Sequence, residues 1–141
     1  MISIVYWSQT GNTQAMAEAI SEGVTEAGKE AKIIDVTDAS LDALKTEKVF
    51  ALGCPAMGAE VLEESEMEPF VSELERSVGG KTIALFGSYG WGDGQWMRDW
   101  AQRAQDDGAQ LFSEEGLICN ETPDDDVQAA CRKLGADLAA W

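Results

Sequence analysis

The hydrophobic positions of the chain change period along its length, and the changes mark out its elements. Ile2, Ile4, Val5, Tyr6 and Trp7 form an apolar run with little alternation, the pattern of a strand in a parallel sheet covered on both faces. From Asn12 to Ala27 the period lengthens. Met16, Ala19, Ile20 and Val24 recur at helical spacing, and Gly28 supplies the stop. Ala31 to Val36 predicts a second strand centred on Ile33 and Ile34, and Ser40 to Leu44 a brief helix or turn. Val49 to Leu52 predicts a third strand ending at Gly53. A helix follows near Glu68 to Ser77, with Phe70, Val71, Leu74 and Val78 on one side and Gly79-Gly80 behind it.

Thr82 to Phe86 predicts a fourth strand, and Gln95 to Asp107 a helix whose apolar side is Trp96, Met97, Trp100, Ala101 and Ala104. Gln110 to Cys119 predicts a fifth, partly polar strand. Thr122-Pro123-Asp124-Asp125 opens the last helix, with a capping hydroxyl, Pro at the first position and acids in the first turn. Val127, Cys131, Leu134, Leu138 and Trp141 are its apolar stripe.

Five strands alternating with helices predict an α/β fold, a parallel sheet with right-handed crossovers. No linker, repeat or low-complexity stretch divides residues 1–141, so the expectation is one domain. In such sheets ligands bind beyond the carboxyl ends of the strands, where strand order reverses. Three unusual segments follow the first, third and fourth strands, which places them at one end.

The first segment, Ser8-Gln9-Thr10-Gly11-Asn12-Thr13, joins a strand to a helix and contains hydroxyls, amides and a glycine, but no Lys or Arg. That suits a phosphate held by neutral donors at a helix N-terminus, where free N–H groups and the helix dipole face outward. Gly11 lets the backbone close tightly around an oxyanion. An ordinary helix cap would favour the same residue types. A Walker-type loop is excluded because its Gly-Lys-Ser/Thr is missing. The second segment, Cys54-Pro55-Ala56-Met57-Gly58-Ala59-Glu60, offers a soft apolar side chain beside a flexible peptide. The third, Gly87-Ser88-Tyr89-Gly90-Trp91-Gly92-Asp93-Gly94, reads as a glycine-rich loop presenting two aromatic rings. Trp91 sits where no core stripe demands it, whereas Trp96, Trp100 and Trp141 lie on helical stripes and Trp7 can pack either way. A phosphate turn with two stacking loops calls for a phosphorylated, planar, aromatic ligand such as flavin mononucleotide (FMN).

Charge narrows the chemistry further. Acidic residues outnumber basic ones 26 to 10, a formal charge of −16, which argues against nucleic acid and anionic membranes as partners. It favours partners with basic docking patches and fast, salt-sensitive encounter. The acidic run Glu60–Glu68 reads mostly as a solvated face. The chain has no His, which makes hydrolytic and zinc chemistry poor expectations. Three separated cysteines with no CxxC read as reduced, buried thiols. No apolar run approaches the ~18 residues of a membrane helix and no signal segment is evident, so the cytoplasm is expected, and a monomer is the default.

These segments resemble flavodoxin, in particular the short-chain type of clostridia and related anaerobes, and the likeness extends over the whole chain, including Val61-Leu62-Glu63-Glu64-Ser65-Glu66 and Gly87–Trp100. The resemblance implies a three-layer α/β/α sandwich with a five-stranded parallel sheet of order 2-1-3-4-5; flavodoxin is itself a standard illustration of this strand-order rule. It implies that Ser8, Gln9, Thr10, Gly11, Asn12 and Thr13 cradle the phosphate of FMN. Ala56, Met57, Gly58, Ala59 and Glu60 would meet one face and the N3 edge of the ring. Ser88, Tyr89, Gly90, Trp91 and Gly92 would meet the other face and the N1/O2 edge, and Asn120 would add a contact. Pro55 stands where relatives often carry a hydroxyl, which removes one supporting phosphate contact. The resemblance further implies a low-potential carrier of one electron at a time, acting in ferredoxin's place rather than as an enzyme, with the Met57–Gly58 peptide turning toward ring N5 as the first electron arrives. One like charge ~10 Å from the ring at an effective dielectric of ~20 disfavours an added electron by about 1.7 kcal/mol, or about 70 mV.

Two other classes share the architecture. A phosphoryl-accepting receiver domain needs paired acids after the first strand, an Asp after the third and a Lys after the fifth, where this chain has Tyr6-Trp7-Ser8, Cys54 and Asn120. The FMN module of a larger reductase would come with a nicotinamide-binding segment, and none is seen.

Overall fold

The computed structural model describes residues 2–9, 11–57, 61–90, 92–112 and 116–140. Strands β1 (Ile2–Tyr6), β2 (Ala31–Asp35), β3 (Val49–Gly53) and β4 (Thr82–Tyr89) alternate with helices α1 (Asn12–Glu26), α2 (Leu41–Thr46), α3 (Met67–Leu74) and α4 (Gln95–Asp106). Two short strands, β5 (Gln110–Leu111) and β6 (Leu117–Asn120), precede α5 (Asp125–Ala139). Every strand pairing is parallel, in the order β2-β1-β3-β4-β5, and β6 also pairs with β4.

Alternation in the central strands builds two cores. Phe50 and Leu52 of β3 and Ile83 and Leu85 of β4 point with Val5 toward α3 and α4, where they meet Phe70, Leu74, Trp96 and Trp100. Ala51, Ala84 and Phe86 point with Ile2 and Ile4 toward α1 and α5, against Met16, Ile20, Cys131 and Leu138. The result is the expected α/β/α sandwich. Helices α1 and α5 cross so closely that a Cβ at Gly23 would stand 1.9 Å from the Arg132 carbonyl oxygen. All three cysteines are free and buried.

Four details differ from the sequence expectation. Strand β4 runs on through Gly87, Ser88 and Tyr89 instead of giving way to loop at Gly87. Gly87 is strand because β3 passes so near that a Cβ there would lie 2.1 Å from the Cys54 carbonyl oxygen. The fifth strand is broken. Gln110 lies opposite Thr82, but Leu117 lies opposite Phe86, three residues further than that register allows, so the chain leaves the sheet between β5 and β6. The side chain that caps α5 is Asp124, accepting the Val127 N–H at 2.9 Å, not the Thr122 hydroxyl. Ile33 belongs to the edge strand β2 and is 37% exposed.

Candidate functional site

Strands β1, β3 and β4 are neighbours, so the segments leaving their carboxyl ends lie side by side. At β1, Trp7 donates its N–H to the Gly53 carbonyl at 3.0 Å, extending the sheet one residue past the strand. The chain then turns into α1 through Gly11, the N-cap residue, at φ +95°, a conformation glycine adopts without strain. Gly11 itself supplies no side-chain cap to this helix end. The Ser8 hydroxyl accepts the N–H groups of Gly11 at 3.1 Å and Gln14 at 3.4 Å, holding the turn open from within. The amides of Asn12 and Thr13 take no partner among the described residues. Two free N–H groups at the positive end of a 15-residue helix form an anion cradle. A Cβ on Gly11 would meet nothing within 4 Å, so this side of the turn is open.

The second segment is anchored at both ends. Cys54 donates its amide to the Phe86 carbonyl at 3.1 Å, and Ala56 donates to the Ser88 carbonyl at 3.0 Å. Met57 and Val61 exchange both main-chain hydrogen bonds, at 2.9 and 3.0 Å. Downstream, the Glu63 amide donates to Cys54 Sγ at 3.4 Å. The Glu63 carboxylate, only 5% exposed, accepts the amides of Ser65, Glu66 and Met67 at 2.8–2.9 Å together with the Ser65 hydroxyl. Burial would raise this carboxyl, but the four hydrogen bonds outweigh it and hold it below the usual range. Glu63 is therefore an internal cap for the start of α3, and the reading of Glu60–Glu68 as a solvated face fails at this residue. Burial pushes the Cys54 thiol up to about 12, so it stays protonated beside the site.

The third segment starts at Ser88, which is buried, followed by half-buried Tyr89 and exposed Gly90. Tyr89 packs on Trp96 with ring centroids 5.5 Å apart, and its carbonyl accepts the Glu121 N–H at 2.7 Å. That bond brings Asn120, paired in register with Tyr89, to the same rim. Gly92 and Gly94 take positive φ and lead into α4. Arg98 donates to the Asp93 carbonyl and carboxylate, both at 3.0 Å, across this turn.

The structure thus brings Ser8, Gln9, Gly11, Asn12, Thr13, Ala56, Met57, Ser88, Tyr89, Gly90, Gly92 and Asn120 to one end of the sheet. The other residues assigned from sequence, Thr10, Gly58, Ala59, Glu60 and Trp91, lie outside the described residues. Two of the assigned side chains face inward. Thr13 is 0% and Ser88 5% exposed, and their hydroxyls bond to each other at 3.0 Å. Sequence reasoning missed Glu63 and Trp96. The Trp96 indole donates to the Cys54 carbonyl at 3.1 Å and so supports two of the loops from beneath.

A family profile described as Flavodoxin matches residues 4–134. The chain belongs to the flavodoxin family. It is 47% identical over 138 residues to a flavodoxin of Clostridium beijerinckii, an alignment covering 98% of this chain and 99% of that one. It is 46% identical to a flavodoxin of Megasphaera elsdenii, over 99% of this chain and 98% of the relative. The solution structure of two-electron reduced Megasphaera elsdenii flavodoxin superposes with a TM-score of 0.88 at 42% identity, covering 100% of both chains. As a member of this family the chain is an FMN-binding electron carrier. The described residues on the rim fit that cofactor: a helix terminus with unpartnered amides for the phosphate, and Met57 and Tyr89 on the segments that leave the neighbouring strands β3 and β4. A more distant relative, an anaerobic nitric oxide reductase flavorubredoxin of Klebsiella pneumoniae, is 30% identical, but the match spans 29% of its length.

Proposed function

We propose that this flavodoxin carries single electrons at low potential between redox proteins with basic docking faces, in ferredoxin's place. FMN, when bound, supplies the ring that accepts and releases the electron. The amides of Asn12 and Thr13 and the Ser8 turn hold its phosphate without a cation. Met57 is assigned to one face of the ring and Trp91 to the other, where each would exclude water, and Asn120 adds a polar contact. Thr10, Gly58, Ala59, Glu60 and Trp91 are assigned to the same site from sequence.

The observation that carries this reading is electrostatic. The three segments of residues 8–13, 54–60 and 87–94 contain no Lys or Arg, in a chain of formal charge −16. Anionic surroundings oppose each added electron, and a phosphate held by neutral donors keeps its own charge. The same charge attracts partners with basic patches. The carrier is assigned as a cytoplasmic monomer.

The test is an anaerobic titration of the purified yellow protein with dithionite. It is expected to resolve two one-electron stages, the second at a potential below that of free FMN. A colourless chain that takes up no added FMN overturns the cofactor assignment. A second stage at or above free FMN overturns the low-potential one.

A further inference from the structure

Helices α3 and α4 are held together differently from α1 and α5. Where α1 and α5 meet backbone to backbone, α3 and α4 leave a seam. A cleft of about 130 Å³ lies between Val61 and Leu62 on one side and Trp96 and Trp100 of α4 on the other. A hole of about 20 Å³ opens further along, over Leu52 and Leu85. Arg103 of α4 lines both and spans the seam. Its guanidinium donates to the two Glu68 carboxylate oxygens at 2.8 and 2.7 Å and to the Ser72 hydroxyl at 3.2 Å. It also donates to the carboxylate of Glu75, the C-cap residue of α3. One side chain thus grips the first turn, the middle and the end of α3. The Arg103 and Glu68 side chains are 30% and 38% exposed, so this forked pair is less screened than a surface ion pair. Hydrogen bonding to Arg103 holds the Glu68 carboxyl below its usual range.

The segment after β3 reaches Met57 on an inner leg bonded to β4 through Cys54 and Ala56. Its outer leg, Val61 to Glu66, has no strand beside it. Val61 bonds back to Met57, the Glu63 amide to Cys54 Sγ, and the Glu63 carboxylate to amides at the start of α3. Where the head of α3 lies therefore sets where the outer leg lies. We propose that Arg103 is a positioning residue for the flavin ring, fixing the head of α3 to α4 so that Met57 and the outer leg keep their binding arrangement. The proposal rests on the assignment of Met57 to the ring and adds a residue outside the three rim segments. Without this grip α3 tilts across the seam, and molecules with a displaced leg are lost to binding. Apparent affinity then falls with the fraction that stays competent.

The test reads the free protein and the flavin complex separately. Hydrogen exchange of the apo-protein compares the amides of Val61, Ser65, Glu66 and Met67 with those of Ile20 in α1 and Leu134 in α5. Arg103→Met is expected to speed the first group about tenfold and the second less than about twofold. FMN affinity, from flavin fluorescence quenching, is expected to weaken about tenfold in step. Arg103→Lys keeps the charge without the fork and is expected to fall between Arg103→Met and wild type in both readouts. Glu68→Ala is expected to act alone but to add nothing to Arg103→Met. Exchange that rises equally at all six amides overturns the proposal and makes Arg103 a support of the whole fold. Unchanged FMN affinity beside faster exchange of the outer leg overturns it too. So does a further loss in the double variant, or Arg103→Lys at wild-type values in both readouts. Met57→Ala that binds FMN as wild type does overturns the ring assignment beneath the proposal, a result read independently of Arg103.

Discussion

The indole N–H of Trp96 donates to the main-chain carbonyl of Cys54 across 3.1 Å, tying α4 to the end of β3 beneath the candidate ring site. That carbonyl is the same group that a Cβ at Gly87 would approach to 2.1 Å. Glycine at position 87 leaves room for the carbonyl, and Trp96 satisfies it. Trp96→Phe keeps a ring in the core but leaves a buried acceptor unpaired, at a cost of about 1–3 kcal/mol. Urea unfolding of the apo-protein measures this as a lower midpoint with an unchanged slope. An unchanged midpoint means that water reaches the carbonyl.

Replacing Gly135 by Ala tests the crossing of α1 and α5. In an exposed helix interior this change stabilises by about 1 kcal/mol. Here the new Cβ would stand 2.0 Å from the Ile20 carbonyl oxygen, and backbone cannot swing aside as a flexible side chain can. The sign reverses, and a loss of about 1–3 kcal/mol is expected from overpacking. Thermal unfolding of the variant decides between the two, since a higher Tm shows that the helices separate easily.

Much of this fold was legible because its central strands are buried on both faces and its helices on one, so that period alone separates them. The parallel α/β class and the placing of three segments at one rim follow from that pattern, whereas the strand order is what the family resemblance implied. Contacts made across the sheet were not legible. Gly87-Ser88-Tyr89 reads as loop by composition, yet Ser88 pairs with Cys119 and Tyr89 with Asn120 in the sheet. Glu63 reads as one more solvated acid, and only the amides of Ser65, Glu66 and Met67 converging on it explain its burial. Thr122 reads as the cap of the last helix by residue type, but α5 starts at Asp125, which makes Asp124 the cap.

Acid should destabilise the protein through Glu63 and Glu68. Four hydrogen bonds hold Glu63 low against its burial, and hydrogen bonding to Arg103 lowers Glu68. A carboxyl whose pKa is lower folded than unfolded stabilises the fold above the unfolded value, about 4.3 for Glu. That contribution is lost as pH falls through the folded value. Stability is therefore expected to decline below about pH 5, and Glu63→Gln to lower stability at pH 7 while flattening the acid limb. Urea midpoints measured from pH 7 to pH 3 check both effects. A limb equally steep in the variant assigns the acid sensitivity to other carboxylates.

Electron transfer to a basic protein should slow as salt is added. With 26 acidic and 10 basic residues, the chain attracts a positively charged partner over distances comparable to the screening length. That length falls from about 30 Å at 0.01 M to about 3 Å at 1 M. Stopped-flow reduction of cytochrome c, used as a basic probe, is expected to show a second-order rate constant that falls steadily across this range. A rate independent of salt removes electrostatic steering as the source of partner choice.

Glu121 has φ +58°, the one positive value at a non-glycine among the described residues. Its amide donates to the Tyr89 carbonyl at 2.7 Å, and Cys119 Sγ donates to its carbonyl at 3.5 Å, so bonds on both sides hold the backbone in this region. The left-handed conformation costs an L-residue about 1–2 kcal/mol. Glu121→Gly removes that cost but adds about 0.5–1 kcal/mol of unfolded-state entropy, for a net gain between about 0 and 1.5 kcal/mol. Thermal unfolding of the apo-protein is expected to show a small rise in Tm. If the loop beside Asn120 only needs the backbone shape, FMN affinity stays within about twofold, because glycine adopts that shape freely. A stabilised variant with weakened FMN binding would instead show that the Glu121 side chain, and not the turn it occupies, serves the site.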